Sequence, residues 1–140
     1  MFRHFGQTLC RVRHKRNLLY STSMTHPPCL FQAAVELPLS LILQDHKGQW
    51  AERGCLVTAV VERVGLDEFD VVMDFRVLEA ALTDAIEHIR GRSLQDLGMN
   101  GLNELAEKIA KAIAPAIKPL VRLAAVIIRD DAVQAASWRQ

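Results

Sequence analysis

The chain has 140 residues, 50% of them apolar and 24% charged, with a formal net charge of +1. That length suits a single domain with a substantial core. The composition excludes a disordered or fibrous protein, and no apolar run is long enough to cross a bilayer as a helix. The charge is unevenly placed: Arg3, Arg11, Arg13, Lys15 and Arg16 stand in residues 1–35 without a single acid, and residues 36–140 hold 12 Lys and Arg against 16 Asp and Glu. A mildly acidic body speaks against a nucleic-acid partner.

Residues 1–27 are basic and acid-free, with Ser21, Thr22 and Ser23 near their end. They read as a disordered tail, as a leader preceding a true start at Met24, or as a mitochondrial transit peptide. They lack a periodic apolar face, so they are expected to be dispensable for the folding of a domain spanning 28–140. Cys10, Cys29 and Cys55 are odd in number and widely spaced, without a metal or disulfide pattern. That points to a reducing compartment, and the cytoplasm is the expected location.

From Phe31 the apolar residues alternate through Ala33, Val35, Leu37, Leu39, Leu41 and Leu43, the period of a strand with one buried face. Pro38 is expected to break or bulge it. Residues 45–54 read as a polar connection and Cys55–Val64 as a second strand, apolar on both faces, followed by an acidic loop over 65–70. Asp74 is placed to cap a helix whose apolar stripe is Leu78, Ala81, Leu82, Ala85, Ile86 and Ile89, with Gly91 as its stop. Asn100 is the expected cap of a second helix carrying Leu102, Leu105, Ala106, Ile109 and Ile113, ended by Pro115. Leu120–Arg129 reads as a third strand, Asp130-Asp131 as a turn and Val133–Trp138 as a short fourth strand. Strand, strand, helix, helix, strand, strand is an α+β order: a four-stranded antiparallel sheet with both helices on one face. Two of the strands, Cys55–Val64 and Leu120–Arg129, are apolar on both faces and the helices cover one, so an oligomer is expected.

Three short stretches in this order, Phe31-Gln32-Ala33-Ala34, Val72-Met73-Asp74-Phe75 and Leu105-Ala106, resemble the 6-pyruvoyltetrahydropterin synthase / 6-carboxytetrahydropterin synthase family over about residues 31–139. The resemblance implies the tunnelling fold, in which the sheets of several subunits join into a barrel. It implies a homo-oligomer, a trimer or a hexamer of two trimers, or a mixed ring with an active paralogue. The family's chemistry is not carried over. Its three zinc-binding histidines fall on Val35, Ala51 and Arg53, with Glu52 between the last two. Val and Ala offer no lone pair, and a guanidinium does not deprotonate to ligate a metal. Its catalytic cysteine falls on Lys47, and its Asp-His pair on Arg90 and Gly91. Of its two pterin-contacting acids, one falls on Asn103 and the other on Asp130 or Asp131.

These residues imply a zinc-free, catalytically degenerate relative with no catalytic residue, metal or cofactor of the family's kind. It would bind a pterin or purine type of molecule through Asp130 and Asn103, or serve as a structural oligomeric module. A carboxylate at Asp130 suits the N–H donors of a 2-amino-4-oxo-pyrimidine edge; the same residue also suits a plain turn. Cys55 reads as a small buried hydrophobe, and His4, His14, His26, His46 and His88 share no ligand spacing. Two alternatives stay open. One is a 6-carboxytetrahydropterin synthase-type lyase with an unrecognised site. The other is a metal-independent enzyme like dihydroneopterin aldolase, suggested by Gly48, Glu52 and Arg53 with Arg129 near the expected catalytic lysine. No membrane partner is implied.

Overall fold

The computed structural model describes residues 9–11, 29–130 and 135–140. Its strands are β1 (Leu9–Arg11), β2 (Leu30–Gln44), β3 (Trp50–Val64), β4 (Arg122–Asp130) and β5 (Ala135–Arg139), and its helices are α1 (Phe75–Glu87) and α2 (Leu102–Ile113) between β3 and β4. The strands form one antiparallel sheet in the order β1-β2-β3-β4-β5. The four strands expected from the sequence are all present, and β1 adds a fifth. It comes from the segment read as a tail, and it pairs with Leu30–Gln32; residues 1–8 and 12–28 lie outside the described residues.

Alternation decides which way each strand faces. On β2 the odd-numbered residues from Ala33 to Leu43 are buried, and they meet Cys55, Val57, Ala59 and Val61 of β3 on the same face. Leu123, Val126 and Ile128 of β4 join them. Leu123 reaches that face because the register shifts at Val60/Val61, a bulge that changes the parity of β4. Over this face lie Leu78, Leu82 and Ile86 of α1 and Leu105, Ile109 and Ile113 of α2, all buried. The core is thus a single layer between the sheet and two helices.

Pro38 does not break β2. The ladder passes through Pro38↔Leu56 without a register shift. β1 reaches only Leu30–Gln32, so among the described residues no strand pairs with β2 at Pro38 on the side away from β3, where a missing N–H is tolerated. β3 begins at Trp50, so residues 50–54, expected in a polar connection, are strand. The connection is only the turn Asp45–Gln49. There Asp45 Oδ1 accepts from Lys47 N (2.8 Å) and Gln49 N (2.9 Å), and Gly48 takes the left-handed φ of 79°. Asp45 thereby substitutes for backbone partners and lets two 15-residue strands form one hairpin.

Asp74 caps α1 as expected, its Oδ1 accepting from Arg76 N at 2.9 Å. The Arg76 side chain folds back onto the same carboxylate (3.0 Å to Oδ2). That side-chain hydrogen bond, followed by the backbone one, holds the Asp74 carboxyl below its usual range. A lowered folded-state value means the contribution is complete above the unfolded value, about pH 4, and is lost as pH falls through the folded one. Asp74→Asn keeps a capping oxygen but not the charge. Its melting temperature is expected to lie slightly below that of the parent at pH 5, with the gap narrowing toward pH 2. A gap of equal size at both pH values would show that charge plays no part. α2 starts one residue later than expected: Gly101, not Asn100, is its cap, with no side-chain hydrogen bond. Asn100 N instead donates to Glu104 Oε2 (3.2 Å). Pro115 ends the helix in a 3-10 turn over Ala114–Ala116, as expected.

Cys29 is disulfide-bonded, which corrects the expectation of no disulfide and removes the support that cysteine use gave to a reducing compartment. Cys55 is a buried thiol on the core face, the environment expected of it. Among the described residues no helix is long and apolar enough to cross a membrane.

Candidate functional site

The sheet places the sequence's candidate positions at two levels. Val35 stands opposite Ala59, whereas Ala51 and Arg53 stand opposite Leu43 and Leu41. Val35 and Leu41 are six strand positions apart, about 20 Å along the strands. Ligands of one zinc ion each lie about 2 Å from it, so these three positions do not converge. At the first of these levels the core face supplies no other donor. Val35 is surrounded by Ala33, Leu37, Val57, Ala59 and Val61, all buried and apolar. Among the described residues no group of three or more His, Cys, Asp or Glu side chains is arranged to hold a metal ion. The residues present do not fit the zinc that the resemblance implies.

At the hairpin end of the sheet the core face carries two charges. Arg53 precedes Cys55 by two residues on β3, so both point inward, and Cys55 pairs with Asp130, the last residue of β4. Arg53 Nη1 lies 3.7 Å from Asp130 Oδ2; the Asp130 side chain is 1% exposed and that of Arg53 28%. Asp130 is therefore a strand residue with a buried side chain, not part of a turn, and Asp131 lies outside the described residues. A carboxylate this deep needs a countercharge, and Arg53 is placed to provide one while its far side reaches solvent. Sequence reasoning saw the two residues separately and missed their pairing. The signal was there: an arginine in phase with the inward cysteine of an apolar strand.

The other candidates are scattered. Asn103 is exposed in the first turn of α2, on a different element from Asp130. Lys47 is in the exposed hairpin turn. Arg90 pairs with Glu87 at 3.7 Å, and Gly91 N donates to Ser40 O at 2.7 Å. Glu52 and Arg53, neighbours on a strand, face opposite sides of the sheet. Glu52 accepts from Ser40 Oγ at 2.6 Å, and Arg129 pairs with Glu36 at 3.7 Å on that same outer side. The aldolase-like set of Glu52, Arg53 and Arg129 is thus divided between two faces.

That outer face carries no helix among the described residues. Gln32 Nε2 donates to Glu62 Oε2 (3.1 Å), and Glu62 is also ion-paired with Arg122. This row spans β2, β3 and β4 at one end of the face. The Glu36–Arg129 pair crosses it further along. Among these pairs lie Ala34, Val60, Ile127 and the 42% exposed Leu56, an apolar surface ruled by polar rows.

No family model matches the sequence, and no curated protein matches it. The fold does have solved counterparts. The structure of Caenorhabditis elegans 6-pyruvoyl tetrahydropterin synthase superposes with a TM-score of 0.59 at 9% identity, covering 81% of this chain and 96% of that one. The chain has a 6-pyruvoyl tetrahydropterin synthase-like fold. At that identity the likeness is one of fold, since function resides in the residues placed on it.

Proposed function

We propose that this chain is a catalytically silent, zinc-free protein on the pterin-synthase-like fold, acting as a structural oligomeric module. The observation that carries the reading is Arg53 beside Asp130. The carboxylate that would recognise the N–H edge of a pyrimidine ring instead faces the guanidinium of the chain's own arginine. The absence of three converging donors at Val35, Ala51 and Arg53 supports the zinc-free part. The uncovered face with Leu56, Val60 and Ile127 supports the oligomeric part: a second subunit would dry these side chains while the polar rows fix its orientation. A trimer, a hexamer of two trimers, or a mixed ring with a paralogue satisfies this surface.

A second reading follows from Asp130 itself. A buried carboxylate is the right group for a pterin or purine if Arg53 turns outward, which its partly exposed position allows. Three measurements on the purified full chain separate these readings. Metal analysis after dialysis is expected to give far less than one zinc per chain; one zinc per chain would revive the lyase reading. Light scattering at micromolar concentration is expected to give a trimer or hexamer, and a stable monomer would remove the homo-oligomer. Calorimetric titration with neopterin and guanine is expected to give no heat; saturable binding would favour the ligand-binding module.

A further inference from the structure

α1 and α2 pack against each other over the sheet, and a groove of about 510 Å³ is lined by residues of both. Its origin is legible in the residues. α1 offers Ala81 and Ala85 on the stripe facing α2, and these side chains are too short to fill the space beside Ile109. The floor is apolar, with Ile89 and Ile109 both buried beneath it. Pro115, in the turn after α2, also lines it. From Ala81 to the C-cap His88 the groove follows α1 for about 10 Å.

The rim is charged, and unevenly so. Arg92 and His88 stand at the end where α1 finishes, Lys108 projects from the middle of α2, and Asp84 is the one acid in the lining. Among the described residues none of these four side chains is in an ion pair. Elsewhere on the same helical layer cations are neutralised locally: Arg90 by Glu87 and Lys111 by Glu107. The groove therefore combines an apolar channel with two cations, Arg92 and Lys108, lacking a protein counterion, against a single acid.

We infer that this groove is a binding site for a small amphiphile with one anionic head and an apolar tail, of the medium-chain carboxylate class. The head would sit between Arg92 and Lys108, and the tail would lie over Ala85 and Ile109 toward Pro115. The volume falls within the range of small-molecule sites. A net positive rim selects an anion, and the apolar floor selects against a fully hydrated one. The inference is independent of Asp130, Arg53 and zinc.

The test is calorimetric titration of the full chain with decanoate, decanol and decylammonium below their aggregation concentrations. Decanoate is expected to bind once per chain, decanol at least about tenfold more weakly through loss of the charge-assisted contacts, and decylammonium not at all. The double variant R92E/K108E, altered only at exposed side chains, is expected to lose decanoate affinity by about tenfold or more while its melting temperature stays unchanged. Ala85→Phe is expected to block the channel. Equal binding of decylammonium, no saturable decanoate binding, or an affinity untouched by R92E/K108E would each overturn the site. Should Ala85→Phe fail to fold, the charge-reversal variant decides alone.

Discussion

Replacing Leu82 by alanine is expected to lower the unfolding free energy by about 3 kcal/mol and the melting temperature by roughly 10 °C. Leu82 has no exposed surface and sits on α1 between Leu78 and Ile86, over the inward residues of the sheet. The layer has a sheet on one side and two helices on the other, with no third layer among the described residues to collapse into a vacated volume. The loss therefore combines the transfer energy of the deleted methyl groups with a persistent cavity. Val77→Ala on the exposed side of the same helix is the control, expected to change stability by no more than about 0.5 kcal/mol. Chemical denaturation of the three proteins measures both. A loss below about 1 kcal/mol for Leu82→Ala would mean that α1 is not part of the cooperative core.

The second large effect is expected at Arg53. Arg53→Met leaves the Asp130 carboxylate buried without its guanidinium. Complete burial of a carboxylate that loses its ion-pair partner costs about 3–5 kcal/mol. Arg53 is 28% exposed, so water admitted along its path offsets part of this, and about 2 kcal/mol is the expected loss. Asp130→Leu in the same chain removes the charge that needed a partner. The double variant is expected to return to within about 1 kcal/mol of the parent. Recovery in the double variant is the signature of the pair. If Arg53→Met proves neutral, the carboxylate is held by other groups, and the internal closure of the site on which the functional proposal rests would go with it.

Much of the fold could be read from alternation and helical spacing because a single apolar layer imposes both. The odd residues of β2 and the stripes of α1 and α2 have only one place to go. The boundaries that misled are those where local chemistry overrode pattern. Residues 50–54 look like a loop because Glu52, Arg53 and Gly54 are polar or small, yet they continue β3 since Asp45 turns the chain early. Pro38 looks like a break, yet among the described residues no strand pairs there with the side of β2 away from β3. The candidate site was half legible. The resemblance pointed to Arg53 and Asp130, but their pairing depends on the register between β3 and β4, which no local pattern encodes. The distance between Val35 and Arg53 was hidden for the same reason, because it follows from where the hairpin turns.

The free edge of β2 bears on how subunits could be joined. Ser40 accepts from Gly91 N, and Ile42 donates to Arg92 O. In a strand, N–H and C=O of alternate residues point to the same side, so the even-numbered residues of β2 are the ones whose backbone faces outward. Of these, Gln32 lies alongside β1, Pro38 has no N–H to give, and Ser40 and Ile42 are already taken by the chain following α1. Only Ala34 and Glu36 remain in the middle with both groups on offer among the described residues. A neighbouring strand docking on this side would gain a seam two residues long, guarded by a proline. Such a seam closes and opens easily. Any ring formed through it would exchange subunits readily, leaving the broad outer face to decide which partners stay.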